Sequence, residues 1–93
     1  MPLQRAPWGD PPSFEWDEHN IEEMWKHGVR HFEVEQCFRN EHVIRPHRKA
    51  HSEPEKYGDR YVVQGITDGG RKLVIIVQHT GDENVRPITA WDL

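Results

Sequence analysis

Ile21, Met24 and Trp25 recur at i, i+3 and i+4, the apolar stripe of a short amphipathic helix. Asp17 stands before the stripe as an N-cap, and Glu18 places a carboxylate in the first turn, where the positive end of the helix dipole favours it. Lys26 and His27 suit the opposite end, and Gly28 can take the left-handed conformation that closes a helix. The pattern predicts a helix over residues 18–27 with Trp25 turned inward, preceded by "SFEW" as a short strand or extended lead-in. Val34, Cys37 and Phe38 repeat the same spacing and predict a second helix over 32–39, with Glu33, Glu35 and Gln36 outward. Its start lacks a Ser, Thr, Asp or Asn cap.

Beyond residue 40 the period changes. "HVIRP" reads as a short strand ended by Pro46, followed by the polar loop "HRKAHSEPEKYGD". "RYVVQGIT" and "KLVIIVQH" flank "DGGR", a glycine-rich hairpin turn, and "ENVRPITAW" supplies a last strand in which Pro87 marks an edge or a break. The expected fold class is α+β: two N-terminal helices packed on a small, mainly antiparallel sheet of about four strands.

The 93 residues make one domain. Residues 1–13, with four prolines, read as a flexible extension, and 14–93 as the folded unit. A lone cysteine, Cys37, excludes an internal disulfide framework and suits a reducing compartment. "LVIIV" is the longest apolar run, too short to span a bilayer, and no signal-peptide pattern opens the chain, so a cytoplasmic location is expected. The net charge of −4 argues against a generic nucleic-acid binder. Its distribution changes that picture. Residues 14–36 carry seven acids against two bases, whereas 39–52 carry four bases against one acid, with His42, His47 and His51 in addition. A basic loop on an acidic domain can hold phosphate locally.

Seven histidines make proton transfer the first chemistry to consider. His19, His31 and His42 read as surface positions, and His27 as either a helix-end charge partner or a proton-transfer group. The spacing of His42, His47 and His51 fits no zinc pattern, and no nucleophile elbow or phosphate-cradling loop is present. Arg60, Arg71 and Arg86 lie at the starts of the strands, where they could hold a phosphate diester or form salt bridges with Glu53, Glu55, Asp59, Asp68 or Glu83.

Read in order, "FEWDEHNIEEMWKHGV", "HSEPEKYGDRYVVQGITDGGRKLVIIVQ" and "VRPITAWD" resemble the BrnT family of toxins from type II toxin–antitoxin modules. The resemblance spans residues 14–92. It implies a RelE-like α+β ribonuclease that cleaves RNA without metal or other cofactor and is held inactive by a small, DNA-binding, BrnA-like antitoxin. A homo-oligomer formed through the antitoxin complex is compatible with it. The positions that match are Lys26 and His27 in "KHGV", His51 and Glu53 in "HSE", Arg60 and Tyr61 in "RY", Arg71 in "GRK" and Arg86 before "PITA". On residue chemistry, His27 is expected to transfer protons, Arg60 and Arg86 to bind phosphate, and Lys26, His51, Tyr61 and Arg71, with Arg45, Arg48 and Lys49 of the basic loop, to contact RNA. Trp91 departs from the pattern, standing where the family usually has Arg, and the family's basic tail has no counterpart before Leu93. Arg30 replaces the usual capping Ser or Thr. The alternative is a catalytically silent interaction module on the same scaffold.

Overall fold

The computed structural model describes residues 6–93. Chain order is β1 (Ser13–Phe14), α1 (Glu18–Lys26), α2 (His31–Arg39), β2 (His42–Pro46), α3 (Pro54–Tyr57), β3 (Arg60–Ile66), β4 (Lys72–Gly81) and β5 (Asn84–Asp92). The strands form one sheet in the order β1-β5-β4-β3-β2, antiparallel throughout except that β1 runs parallel to β5. The α+β class is as expected, but the sheet is mixed and has five strands. A strand precedes the helices, and a one-turn helix, α3, interrupts the loop expected to be irregular.

One face of the sheet carries the core. Ile44, Val63, Leu73, Ile75, Val77, Val85 and Ala90 alternate inward, and α2 lays Val34, Cys37 and Phe38 over them. The contact is close at one point, where a Cβ on Gly65 would stand 2.7 Å from Cys37 Cβ, so only glycine lets α2 settle there. Burial pushes the Cys37 thiol up to about 11. α2 begins without a side-chain acceptor on its cap residue Arg30; instead Glu33 reaches back to accept the Arg30 N–H at 3.0 Å.

Two expectations are overturned in the packing. The stretch 6–13 is no free extension: Trp8 is 6% exposed and sits in the core against Phe38 and Tyr61, at ring separations of 6.0 and 5.3 Å. Residues 1–5 of that extension lie outside the described residues. Trp25 does not turn inward but is 51% exposed, with the Arg30 guanidinium 3.9 Å over its ring. The reason is where α1 lies. β1 pairs with only Asn84 and Val85, and α1 closes the β5 edge beyond them, so its buried stripe narrows to Asn20 and Met24. The Asn20 amide donates to Glu15 O at 2.8 Å and to Pro87 O at 3.0 Å, satisfying carbonyls the short strand leaves open. Pro87 lies at a bulge, where pairing skips from Val77↔Pro87 to Ile76↔Thr89 and leaves Ile88 extra.

Candidate functional site

The opposite face of the sheet is bordered by α1 along β5 and by α3, whose Tyr57 lies beside Arg60. Strand register sets out its rows: Arg60, Gln78 and Arg86 form one; Arg45, Val62, Ile76 and Thr89 the next; Val43, Gln64, Val74 and Trp91 the third. A groove of about 510 Å³ crosses this face. Val62, Gln64 and Ile76 form its floor, Arg45, Pro46, His47 and Arg48 one wall, and Trp91 the other end.

α1 runs alongside β5 in the same direction, and their contacts form a ladder. Asp17 pairs with Arg86 at 2.8 Å, Asn20 meets Pro87, and the Thr89 hydroxyl donates to Glu23 at 3.3 Å. His27 lies four residues past Glu23, about 6 Å along the helix. Trp91 lies two residues past Thr89, about 6.6 Å along the strand. His27 therefore comes level with Trp91, and not with Arg86, whose partner is the cap at the other end of α1.

His27 Nε2 lies 3.2 Å from Glu23 Oε2. That bond, followed by the Thr89 hydroxyl bond and the Lys26 ammonium at 3.7 Å, holds the Glu23 carboxyl below its ordinary value. Facing a carboxylate, Nε2 carries the proton in the neutral ring, which leaves Nδ1 as the proton-accepting nitrogen. The arrangement is an imidazole oriented by a carboxylate, at the edge of an open cationic face.

The basic loop folds back on β3. The His47 ring stacks on Tyr57 at 4.5 Å and 14°, with Lys49 Nζ, Lys56 Nζ and Arg60 Cζ 5.3 to 5.4 Å from the tyrosine centroid. The Lys49 N–H donates to His47 Nδ1 at 3.1 Å, which places the proton of the neutral ring on Nε2. Burial, then the charges of Arg60, Lys49 and Arg48, holds His47 below its ordinary pKa. Arg60 Nε is buried and has no hydrogen-bond partner.

The remaining candidates lie elsewhere or are engaged. Tyr61 alternates to the core face, where Trp8 packs edge-on against its ring. Arg71 is a clamp. Its Nε and Nη2 reach Asp92 at 2.6 and 2.9 Å, and its Nη1 reaches Gly28 O at 2.9 Å and Glu33 at 3.1 Å. Gly28, at φ +70, turns the chain so that this carbonyl faces the guanidinium. Glu33, expected outward, thus turns to the clamp. Arg48 and His51 are exposed on the loop, and Lys49 lies 4.0 Å from Glu53. Glu23, His47 and Tyr57 join the site without having been singled out as site residues. The spacing of Glu23 to His27, one helical turn, is legible in the sequence, whereas the His47–Tyr57 stack depends on a loop path that no periodicity encodes.

No family model matches the chain, and no curated protein matches it either.

Proposed function

We propose that the protein is a metal-independent endoribonuclease, a RelE-like toxin of the BrnT type that acts on RNA laid across the open sheet face. The observation that carries this reading is the Glu23–His27 pair, 3.2 Å apart, at the margin of a face bearing Arg45, Arg60 and Arg86. In the reaction, His27 Nδ1 takes the proton of a ribose 2′-hydroxyl as its oxygen bonds to the adjacent phosphorus. The phosphorus–O5′ bond breaks, the leaving oxygen takes a proton from water, and the resulting hydroxide takes back the proton held by His27. The products are a 2′,3′-cyclic phosphate and a 5′-hydroxyl end. Glu23 stabilises the imidazolium that forms, and the arginines, farther along the face, hold the RNA backbone. The nucleophile is in the substrate, so the route needs no metal. Arg60, on the open face beside the His47–Tyr57 stack, is assigned phosphate binding; Arg71 is assigned to structure. A small DNA-binding antitoxin that covers the cationic face would neutralise the activity.

Arg71 and Arg86, two of the three arginines expected to hold phosphate or form salt bridges, are paired with carboxylates of the same chain, which favours a second reading, a silent interaction module. Inducible expression in a bacterial host separates the two. Growth arrest, together with RNA cleavage by the purified protein in chelator, supports the toxin. Unaffected growth with intact RNA overturns it in favour of the module.

A further inference from the structure

We propose that the groove on the open face is a subsite for one unpaired nucleotide of single-stranded RNA. Its base stacks on Trp91, and its phosphate is held at the opposite wall by Arg45, Arg48 and the Nε2–H of His47. This rests on the reading that the chain acts on RNA, and adds the form in which the RNA is held.

Trp91 is 40% exposed, and among the described residues no ring or cation is stacked on it. Trp25, also exposed, is by contrast covered by Arg30. The cross-strand neighbour of Trp91, Val74, is flanked by Trp91 and Gln64 and is only 7% exposed although it lies outside the core cluster. An exposed, unstacked aromatic ring of this kind accepts any base.

The charge around the groove selects the occupant. The chain has 16 acids against 12 bases, yet no carboxylate lines this groove, and its wall, at β2 and the loop after it, presents Arg45 and Arg48. An acidic protein has here gathered cations around a largely apolar floor, which suits a ligand with an apolar ring at one end and a negative charge at the other. β2 and β5 are three strand spacings apart, roughly 14 Å, a gap that the arginine side chains shorten to nucleotide dimensions. The groove volume of about 510 Å³ lies in the small-ligand range. His47 adds a donor of fixed direction, because its Nδ1 is occupied by the Lys49 N–H. Burial, then the neighbouring cations, disfavours a second proton on this ring. In a duplex the bases are stacked on each other and closed to Trp91, so the site selects single strands.

The test is fluorescence anisotropy of a labelled 2′-O-methyl uridine hexamer, which cannot be cleaved, against an abasic hexamer with the same phosphates. Trp91→Leu is expected to weaken uridine hexamer binding about tenfold, with Trp91→Phe close to wild type and the abasic hexamer insensitive to either change. Arg45→Ala is expected to weaken both hexamers alike. If Trp91→Leu binds the uridine hexamer like wild type while wild-type protein still cleaves RNA, the subsite is overturned and the nuclease reading stands. If wild-type protein neither binds the hexamer nor cleaves RNA, both fall. If Trp91→Leu leaves hexamer binding intact but abolishes association with the antitoxin, the face belongs to a protein partner and the nucleotide subsite is overturned.

Discussion

Arg86 holds Asp17 at 2.8 Å, so the residue that caps α1 is also the residue that ties the helix to β5. Asp17 additionally accepts the Asn20 N–H at 3.1 Å while Asn20 Oδ1 accepts the Asp17 N–H at 2.8 Å. The Arg86 hydrogen bond, with help from the Asn20 N–H, lowers the Asp17 carboxyl from its ordinary 3.8 to about 2. A carboxyl whose pKa is depressed by folding stabilises the folded state above its unfolded value. That contribution is lost as pH falls toward the folded one. Wild-type protein should therefore lose stability between about pH 4 and pH 2 more steeply than Asp17→Asn, as followed by thermal melts across that range. Parallel curves for the two proteins would count against the coupling.

The Arg71 clamp joins the β3–β4 turn, the α1–α2 junction and the end of β5 through Glu33, Gly28 O and Asp92. Its pKa is raised and that of Asp92 lowered, each chiefly by the hydrogen bond to the other. Arg71→Ala should cost about 1 to 2 kcal/mol in urea unfolding, a figure already reduced for solvent exposure, because it strands Glu33 and a backbone carbonyl. Arg45→Ala, on the open face, should stay within about 0.5 kcal/mol while weakening RNA binding. Equal stability losses would contradict the division into structural and binding arginines.

Gly65→Ala should destabilise by about 1 to 3 kcal/mol, since its Cβ would meet that of Cys37 at 2.7 Å and push α2 off the sheet. Cys37 reports on the same contact. With its thiol pushed up to about 11 and buried, it should resist alkylation at pH 8 in the folded protein. The Gly65→Ala variant should be alkylated faster, and a wild-type rate matching a free thiol would show the packing to be loose.

Much of this architecture was legible in the sequence because it rests on local signals. The Asp17 cap, the Gly28 stop, the glycine turn before Arg71 and the alternation through β3 and β4 are short-range patterns, and each reappears in place. Trp8 was not legible, because a tryptophan among prolines has no periodicity to place it in a core. Trp25 is exposed against its spacing because helical periodicity defines a stripe but not how much of it is covered, and α1 covers an edge instead of a face. The site divided in the same way. Glu23 and His27 are one helical turn apart, a relation the sequence contains. That His27 comes level with Trp91, while Arg86 stands at the far end of the helix, follows from α1 and β5 running side by side with different rise per residue, a tertiary relation.

The Glu23–His27 pair bears the central claim, and RNA cleavage in chelator by purified wild type, His27→Ala and Glu23→Gln tests it. Wild-type protein should leave 2′,3′-cyclic phosphate ends, and His27→Ala should be slower by at least about 100-fold, with Glu23→Gln in between and both variants folded by circular dichroism. Cleavage by folded His27→Ala at the wild-type rate would contradict the assignment.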